Sequence, residues 1–159
     1  MNIKELMHTP AVTINANETA NAAAHLMWEN DCGAVPVVDD GNRLIGMITD
    51  RDVCMAAYTQ GRPLSEIPIA TAMSKHVLVC HVSDSAETAE ELMREGQVRR
   101  VPVIDNDGHP VGLVGIADLA RFAATSPKST IEEHLLLTLE AVFSPHHQQR
   151  SVKTKTHSH

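Results

Sequence analysis

Aromatic side chains are scarce in this 159-residue chain, with one Trp, one Tyr and two Phe, 3% in all, against 43% hydrophobic residues. Its core must therefore be built from Val, Ile, Leu, Ala and Met, and stacking platforms for single-stranded nucleic acid are disfavoured. Long apolar runs are absent, and the N-terminal MNIKELMHTP has no signal-type hydrophobic stretch. The sequence therefore predicts a cytoplasmic protein with no membrane partner. Cysteines are few and unpatterned: Cys32, Cys54 and Cys80, with no C-x-x-C. That usage points to reduced thiols serving as small buried hydrophobes. Positive charge is in deficit, with 13 Lys and Arg against 20 Asp and Glu, a net charge of −7. Residues 144–159 carry Arg150, Lys153 and Lys155 and no acid, so the rest of the chain holds about −10. A fold of this charge does not attract nucleic acid, and any anionic ligand needs a local basic cluster. Catalytic motifs are missing too. There is no H-E-x-x-H, no P-loop and no nucleophile–base pairing by motif, so no enzyme is expected.

What the chain does have is itself twice. Residues 7–53 and 73–119 align without a gap, 66 positions apart. Met7 falls on Met73, Ala20 on Ala86, Ala23 on Ala89, Leu26 on Leu92 and Met27 on Met93. Val35-Pro36-Val37 falls on Val101-Pro102-Val103, Gly46 on Gly112 and Asp52 on Asp118. A repeat of this length marks a duplicated supersecondary unit whose apolar face needs a partner. Two such units imply one core, a pseudo-twofold axis and a cleft where they meet, the natural place to seek a ligand.

Each unit reads as strand, helix, strand, strand, helix. In the first, Ala11–Ile14 is expected as a strand, Asn17 as a helix cap and Ala20, Ala23, Ala24 and Met27 as the core-facing helix stripe. Ala34–Val38 reads as a buried strand, Asp39-Asp40-Gly41-Asn42 as a turn and Leu44–Ile48 as a third strand. Thr49 or Asp50 then caps a second helix. The second unit repeats the order, with Val77–Cys80 as a strand, Ser83 as the cap and strands at Val101–Ile104 and Val111–Val114. Ile69–Met73 is a short helical lead-in. Domain boundaries are placed at 1–62 and 63–125, followed by an extra helix over 126–143 and a disordered polar tail over 144–159. Thr130-x-x-Glu133 gives the extra helix a capping box. This helix has no counterpart after the first repeat, so it either covers the repeat core or pairs with a second chain. The tail histidines, His146, His147, His157 and His159, are read as solvated rather than as a metal site. His76, Cys80 and His81 are set aside as ligands because their helical spacing falls on a predicted strand.

The most specific local segment is Gly46-Met47-Ile48-Thr49-Asp50-Arg51-Asp52, where a strand passes into a helix. Gly46 permits close backbone approach. Thr49 offers a hydroxyl and a helix-start amide to a phosphate. Arg51 can pair with the same phosphate, and Asp52 can accept from both hydroxyls of a ribose. An Asp in the first helical turn is equally explained as a favourable capping residue.

The duplicated unit, its two V-P-V-h-D segments and the G-h-h-T-x-x-D segment together resemble the cystathionine-β-synthase (CBS) domain pair over residues 1–125. The resemblance implies an α/β (α+β) fold of tandem β-α-β-β-α repeats and frequent association into homodimers. It also implies clefts between repeats that bind AMP, ADP, ATP or S-adenosylmethionine, with no cofactor required. On that resemblance the ribose acid maps to Asp52 and the phosphate hydroxyl to Thr49. The adenine pocket maps to Val77, Leu78 and Val98, with Arg99 and Arg100 alongside. The two arginines are either phosphate partners or a surface salt-bridge pair. The second copy, Asp118 facing Val12, Cys32 and Ala34, has Gly115 in place of Thr49 and Ala117 in place of Arg51. It is expected to bind weakly or not at all. The function implied is a regulatory adenine-nucleotide sensor acting on a protein partner, with a ligand-free interaction module as the alternative.

Overall fold

The computed structural model describes residues 2–125 and 130–145. Short helix α1 (Ile3–Leu6) leads into β1 (Ile14–Asn15), α2 (Ala20–Glu29), β2 (Ala34–Val38), β3 (Leu44–Thr49) and α3 (Asp50–Gln60). The second unit runs through α4 (Ile69–Ala72), β4 (Cys80–His81), α5 (Ala86–Gly96), β5 (Arg100–Ile104), β6 (Pro110–Gly115) and α6 (Ile116–Thr125). Helix α7 (Thr130–Phe143) follows. Two three-stranded sheets result, ordered β1-β2-β3 and β4-β5-β6, each with one parallel and one antiparallel pair. The registers repeat with the sequence: Val35 opposes Ile48 as Val101 opposes Val114. None of the described helices is long and apolar enough to cross a membrane.

Local chemistry explains the elements. Buried Ala20, Ala23 and Met27 make the core stripe of α2, and Ala86, Ala89 and Met93 that of α5. Every residue of β2 is buried, as a strand covered on both faces requires. The two hairpin turns are built alike. Asp39 Oδ1 accepts the Gly41 and Arg43 amides, and Asp105 Oδ1 those of Asp107 and His109.

Several expected boundaries move. The caps are Thr19, whose hydroxyl accepts the Ala22 amide, and Ser85, which accepts that of Thr88, rather than Asn17 and Ser83. Asn17 instead packs its side-chain amide on Asp40. The strands expected at Ala11–Ile14 and Val77–Cys80 shrink to Ile14–Asn15 and Cys80–His81. Ala11, Val12, Val77 and Leu78 line clefts rather than joining a sheet. Of the cysteines only Cys80 is buried; Cys32 is partly covered and Cys54 is exposed. The Thr130–Glu133 capping box and residues 146–159 lie outside the described residues and side chains.

The repeats exchange their lead-ins. Helix α1 sends Ile3 into the core of the second unit, among Ala89, Met93 and Leu119, while Ile69 of α4 sits in the core of the first. The backbone of His8 bonds both ways with Leu113 of β6, and Ser74 does the same with Met47 of β3. Each crossing passes over a glycine. A Cβ on Gly46 would lie 2.9 Å from the Ser74 carbonyl oxygen, and one on Gly112 would lie 3.0 Å from that of His8. The close approach expected at Gly46 is therefore made by the neighbouring chain segment.

Helix α7 covers the second unit. Ile131, Leu135 and Val142 join its core cluster. Buried Glu90 of α5 is met there by Arg94 Nη1 at 3.2 Å and by the Thr138 hydroxyl.

Candidate functional site

One cleft between the units gathers every residue expected at the first site. Thr49, Arg51 and Asp52 stand on one wall, and Val77, Leu78, Val98, Arg99 and Arg100 on the other, around a volume of about 430 Å³. Val142 from α7 also reaches this cleft. Thr49 caps α3, and the cap is reciprocal: its hydroxyl oxygen accepts the Asp52 amide at 3.1 Å, while Asp52 Oδ2 accepts the Thr49 amide at 2.9 Å. Capping and ligand access coexist here. Among the described residues Asp52 Oδ1 takes no hydrogen bond and the Thr49 hydroxyl proton is uncommitted. The backbone offers less than expected. The Asp50 amide bonds the Gly33 carbonyl and the Arg51 amide bonds Asp50 Oδ1. With the Thr49 and Asp52 amides also taken, the start of α3 has no amide left at these positions for a phosphate. Positive charge must come from side chains.

Side chains supply it. Arg51, Arg99 and Arg100 all line the first cleft, and none of them forms an ion pair with a carboxylate among the described residues. The Arg99 guanidinium lies over the Phe143 ring, 5.4 Å from its centroid, which leaves its N–H fork open. Among the described residues Arg99 and Arg100 do not form the surface salt-bridge pair that the sequence left open.

The pseudo-symmetric cleft, about 460 Å³, is lined by Val12, Cys32, Ala34 and Asp118, and by Phe143 of α7. Here the acid is fully engaged. Asp118 Oδ2 accepts the Gly115 amide at 2.7 Å, and Oδ1 accepts His8 Nε2 at 2.9 Å and Arg121 Nη2 at 2.7 Å. Neither His8 nor Arg121 was singled out from sequence. Arg121 falls where the first unit has Met55, outside the repeated motif. The only available signal was its i,i+3 spacing from Asp118, an ordinary helical pairing. Phe143 had no signal at all, since α7 has no repeat partner. Arg99 and Arg100 line this cleft as well as the first; the equivalent positions in the first unit are Gly33 and Ala34.

Other reactive groups are quiet. Burial, reinforced by the Asp84 carboxylate, pushes the Cys80 thiol up to about 11, which keeps it protonated and unreactive near neutrality. Asp105, Asp107 and His109 place donor atoms within 4.8 Å of one another. The Asp105 carboxylate is held below its usual range, chiefly by the His109 backbone amide, so this cluster is accounted for by the turn it closes.

Comparison with known proteins agrees with this fold. The CBS domain family model matches residues 3–58 and 64–125. The CBS domain-containing protein YhcV of Bacillus subtilis is 38% identical over 118 residues, 74% of this chain and 82% of its own length. Hypoxic response protein 1 of Mycobacterium tuberculosis is 32% identical over 143 residues, 89% of this chain and 94% of its own. A crystal structure of Hypoxic Response Protein I with two coordinated zinc ions superposes with a TM-score of 0.70 at 33% identity, covering 76% of this chain and 98% of that one. The CBS domain pair of protein MJ0100, solved with 5-methylthioadenosine and S-adenosyl-L-methionine, gives a TM-score of 0.72 over 79% of this chain and 98% of that one. At 24% identity this last likeness concerns the fold. With two tandem family matches across most of its length, the chain belongs to the CBS domain family.

Proposed function

We propose that this protein is a non-enzymatic regulatory module that binds an adenine nucleotide in the first cleft and passes its occupancy to a protein partner. The observation that carries the reading is the pairing of an acid having a spare oxygen, Asp52, with three guanidiniums lacking acidic partners among the described residues. A ribose needs an acceptor for its hydroxyls and a phosphate needs cations; this cleft offers both within one wall-to-wall span. Val77, Leu78 and Val98 supply an apolar slot for the base. Leu78 and Val98 are respectively 40% and 37% exposed, apolar surface that a purine would cover. The adenosyl ligands of the MJ0100 pair fit the same general expectation.

Isothermal titration with AMP, ADP, ATP and S-adenosylmethionine tests the reading. Heat with at least one ligand, abolished by Thr49→Ala with Asp52→Ala, supports it. No heat and no change of melting temperature with any of the four rejects it.

The interaction-module reading also has an observation in its favour. Trp28 and Tyr58 on the first unit and Leu136 on α7 are 85%, 81% and 76% exposed. Apolar side chains this open suit a second copy, giving a homodimer, or another protein. Under this reading the double variant leaves partner binding unchanged and nucleotides have no effect on it.

A further inference from the structure

We infer that the ligand of the first cleft is an adenosine polyphosphate whose tail crosses into the second cleft, where Arg121 holds the terminal phosphate. This deepens the proposed function and rests on it, since it takes the base and ribose to lie against Asp52.

Three observations lead there. First, the two clefts share part of their lining: Ala34, Arg99 and Arg100 belong to both. They meet at a small side chain beside two arginines, a boundary suited to an anion that extends from one cleft towards the other. Second, the second cleft has lost the chemistry for a ribose. Both Asp118 oxygens are engaged, by the Gly115 amide on one side and by His8 and Arg121 on the other. It has not lost the chemistry for a phosphate. Arg121 uses Nη2 on Asp118 and its side chain is 68% exposed; a guanidinium has five N–H donors, so the rest of the fork remains to meet a second anion. Third, the cations are distributed over both clefts: Arg51 lines the first, Arg99 and Arg100 line both, and Arg121 lines the second. On this reading a monophosphate stays with the arginines of the first cleft, and a longer tail is needed to meet Arg121. The cationic sulfonium and ammonium groups of S-adenosylmethionine would meet this series with like charge.

Phosphate number is thus the readout. Affinity is expected to rise from adenosine through AMP and ADP to ATP, measured by calorimetry in magnesium-free buffer at fixed ionic strength, with S-adenosylmethionine weakest among the charged ligands. Arg121→Gln keeps a side-chain donor for Asp118 and removes the charge. It should weaken ATP by about tenfold, the loss of a hydrogen bond to a charged group, and leave AMP within about twofold. A double substitution of Arg99 and Arg100 to Gln should weaken AMP and ATP alike. Phosphorus NMR gives a second view that does not depend on Arg121→Gln folding: in wild type the terminal phosphate resonance of bound ATP should shift on binding. AMP binding as tightly as ATP, or Arg121→Gln weakening both to the same degree or neither, overturns the inference while leaving the proposed function standing. Absence of binding by every adenosine compound overturns both.

Discussion

The first cleft holds Asp52 with one oxygen turned to its own helix cap and the other uncommitted among the described residues; the second holds Asp118 with both oxygens engaged by the protein. The two acids stand 66 residues apart at matching positions, and one half of the cap recurs: the Thr49 amide donates to Asp52 Oδ2 as the Gly115 amide donates to Asp118 Oδ2, while the hydroxyl half at Thr49 has no counterpart at Gly115. Duplicated geometry therefore does not carry duplicated chemistry. What separates the two sites is their neighbours: a threonine against a glycine, and a methionine against the arginine that reaches back to the acid. The guanidinium pair shared by the clefts has no twofold mate, so among the described residues one cationic centre stands where the repeat symmetry would allow two.

Breaking the comparison is most direct at the acids. Asp52→Ala should lower nucleotide affinity by about tenfold to a hundredfold, since hydrogen bonds to charged groups contribute about 1.5–3 kcal/mol each. Asp118→Ala should leave calorimetric affinity within about threefold. Equal losses would show the clefts to be equivalent after all. A gain-of-site variant sharpens the same contrast. Gly115→Thr combined with Arg121→Met and His8→Ala gives the second cleft a hydroxyl and frees Asp118. A Cβ at Gly115 meets its nearest neighbours, Arg100 Cγ and Asp118 Oδ2, at 3.5 Å, an ordinary van der Waals contact. Stoichiometry by titration with AMP, which has no tail to occupy the second cleft, should rise from one towards two per chain.

The crossings are expected to respond alike where the clefts do not. Gly46→Ala and Gly112→Ala each force a Cβ against a carbonyl oxygen, 2.9 Å from Ser74 and 3.0 Å from His8. Each should lower stability by about 1–3 kcal/mol in denaturant unfolding. A smaller effect separates the thiols. Cys54, exposed, should react with a disulfide reagent in the native state, while Cys80 should label only on unfolding. Because the buried Cys80 thiol titrates near 11, above its ordinary value, its stabilising effect is complete below the ordinary thiol range. It declines as pH climbs from that range towards 11. A Cys80→Ala variant should lack that part of the alkaline loss.

The repeat made most of the fold legible. Its spacing predicted both hairpins, the two Asp-led turns and the cleft, because burial on β2 and β5 leaves the same apolar imprint twice. Boundaries were less legible. Ala11, Val12, Val77 and Leu78 are apolar for lining clefts, and sequence alone does not separate that from strand burial. Asn17 and Ser83 have cap chemistry but stand two residues before the residues that cap. At the site, Thr49, Arg51 and Asp52 were visible in one short segment. His8 and Arg121 were not, since their importance lies in a meeting across 110 residues and in a position where the two copies differ.

The exchange of lead-in segments closes the chain upon itself. Because Ile3 completes the core of the distal half while Ile69 completes that of the proximal half, the order of elements in space is a ring, although the polypeptide is a line. Neither half is a finished object when cut away, and unravelling of the first few residues is felt at the opposite end of the sequence. Such a design makes the tandem, rather than the single repeat, the smallest heritable unit.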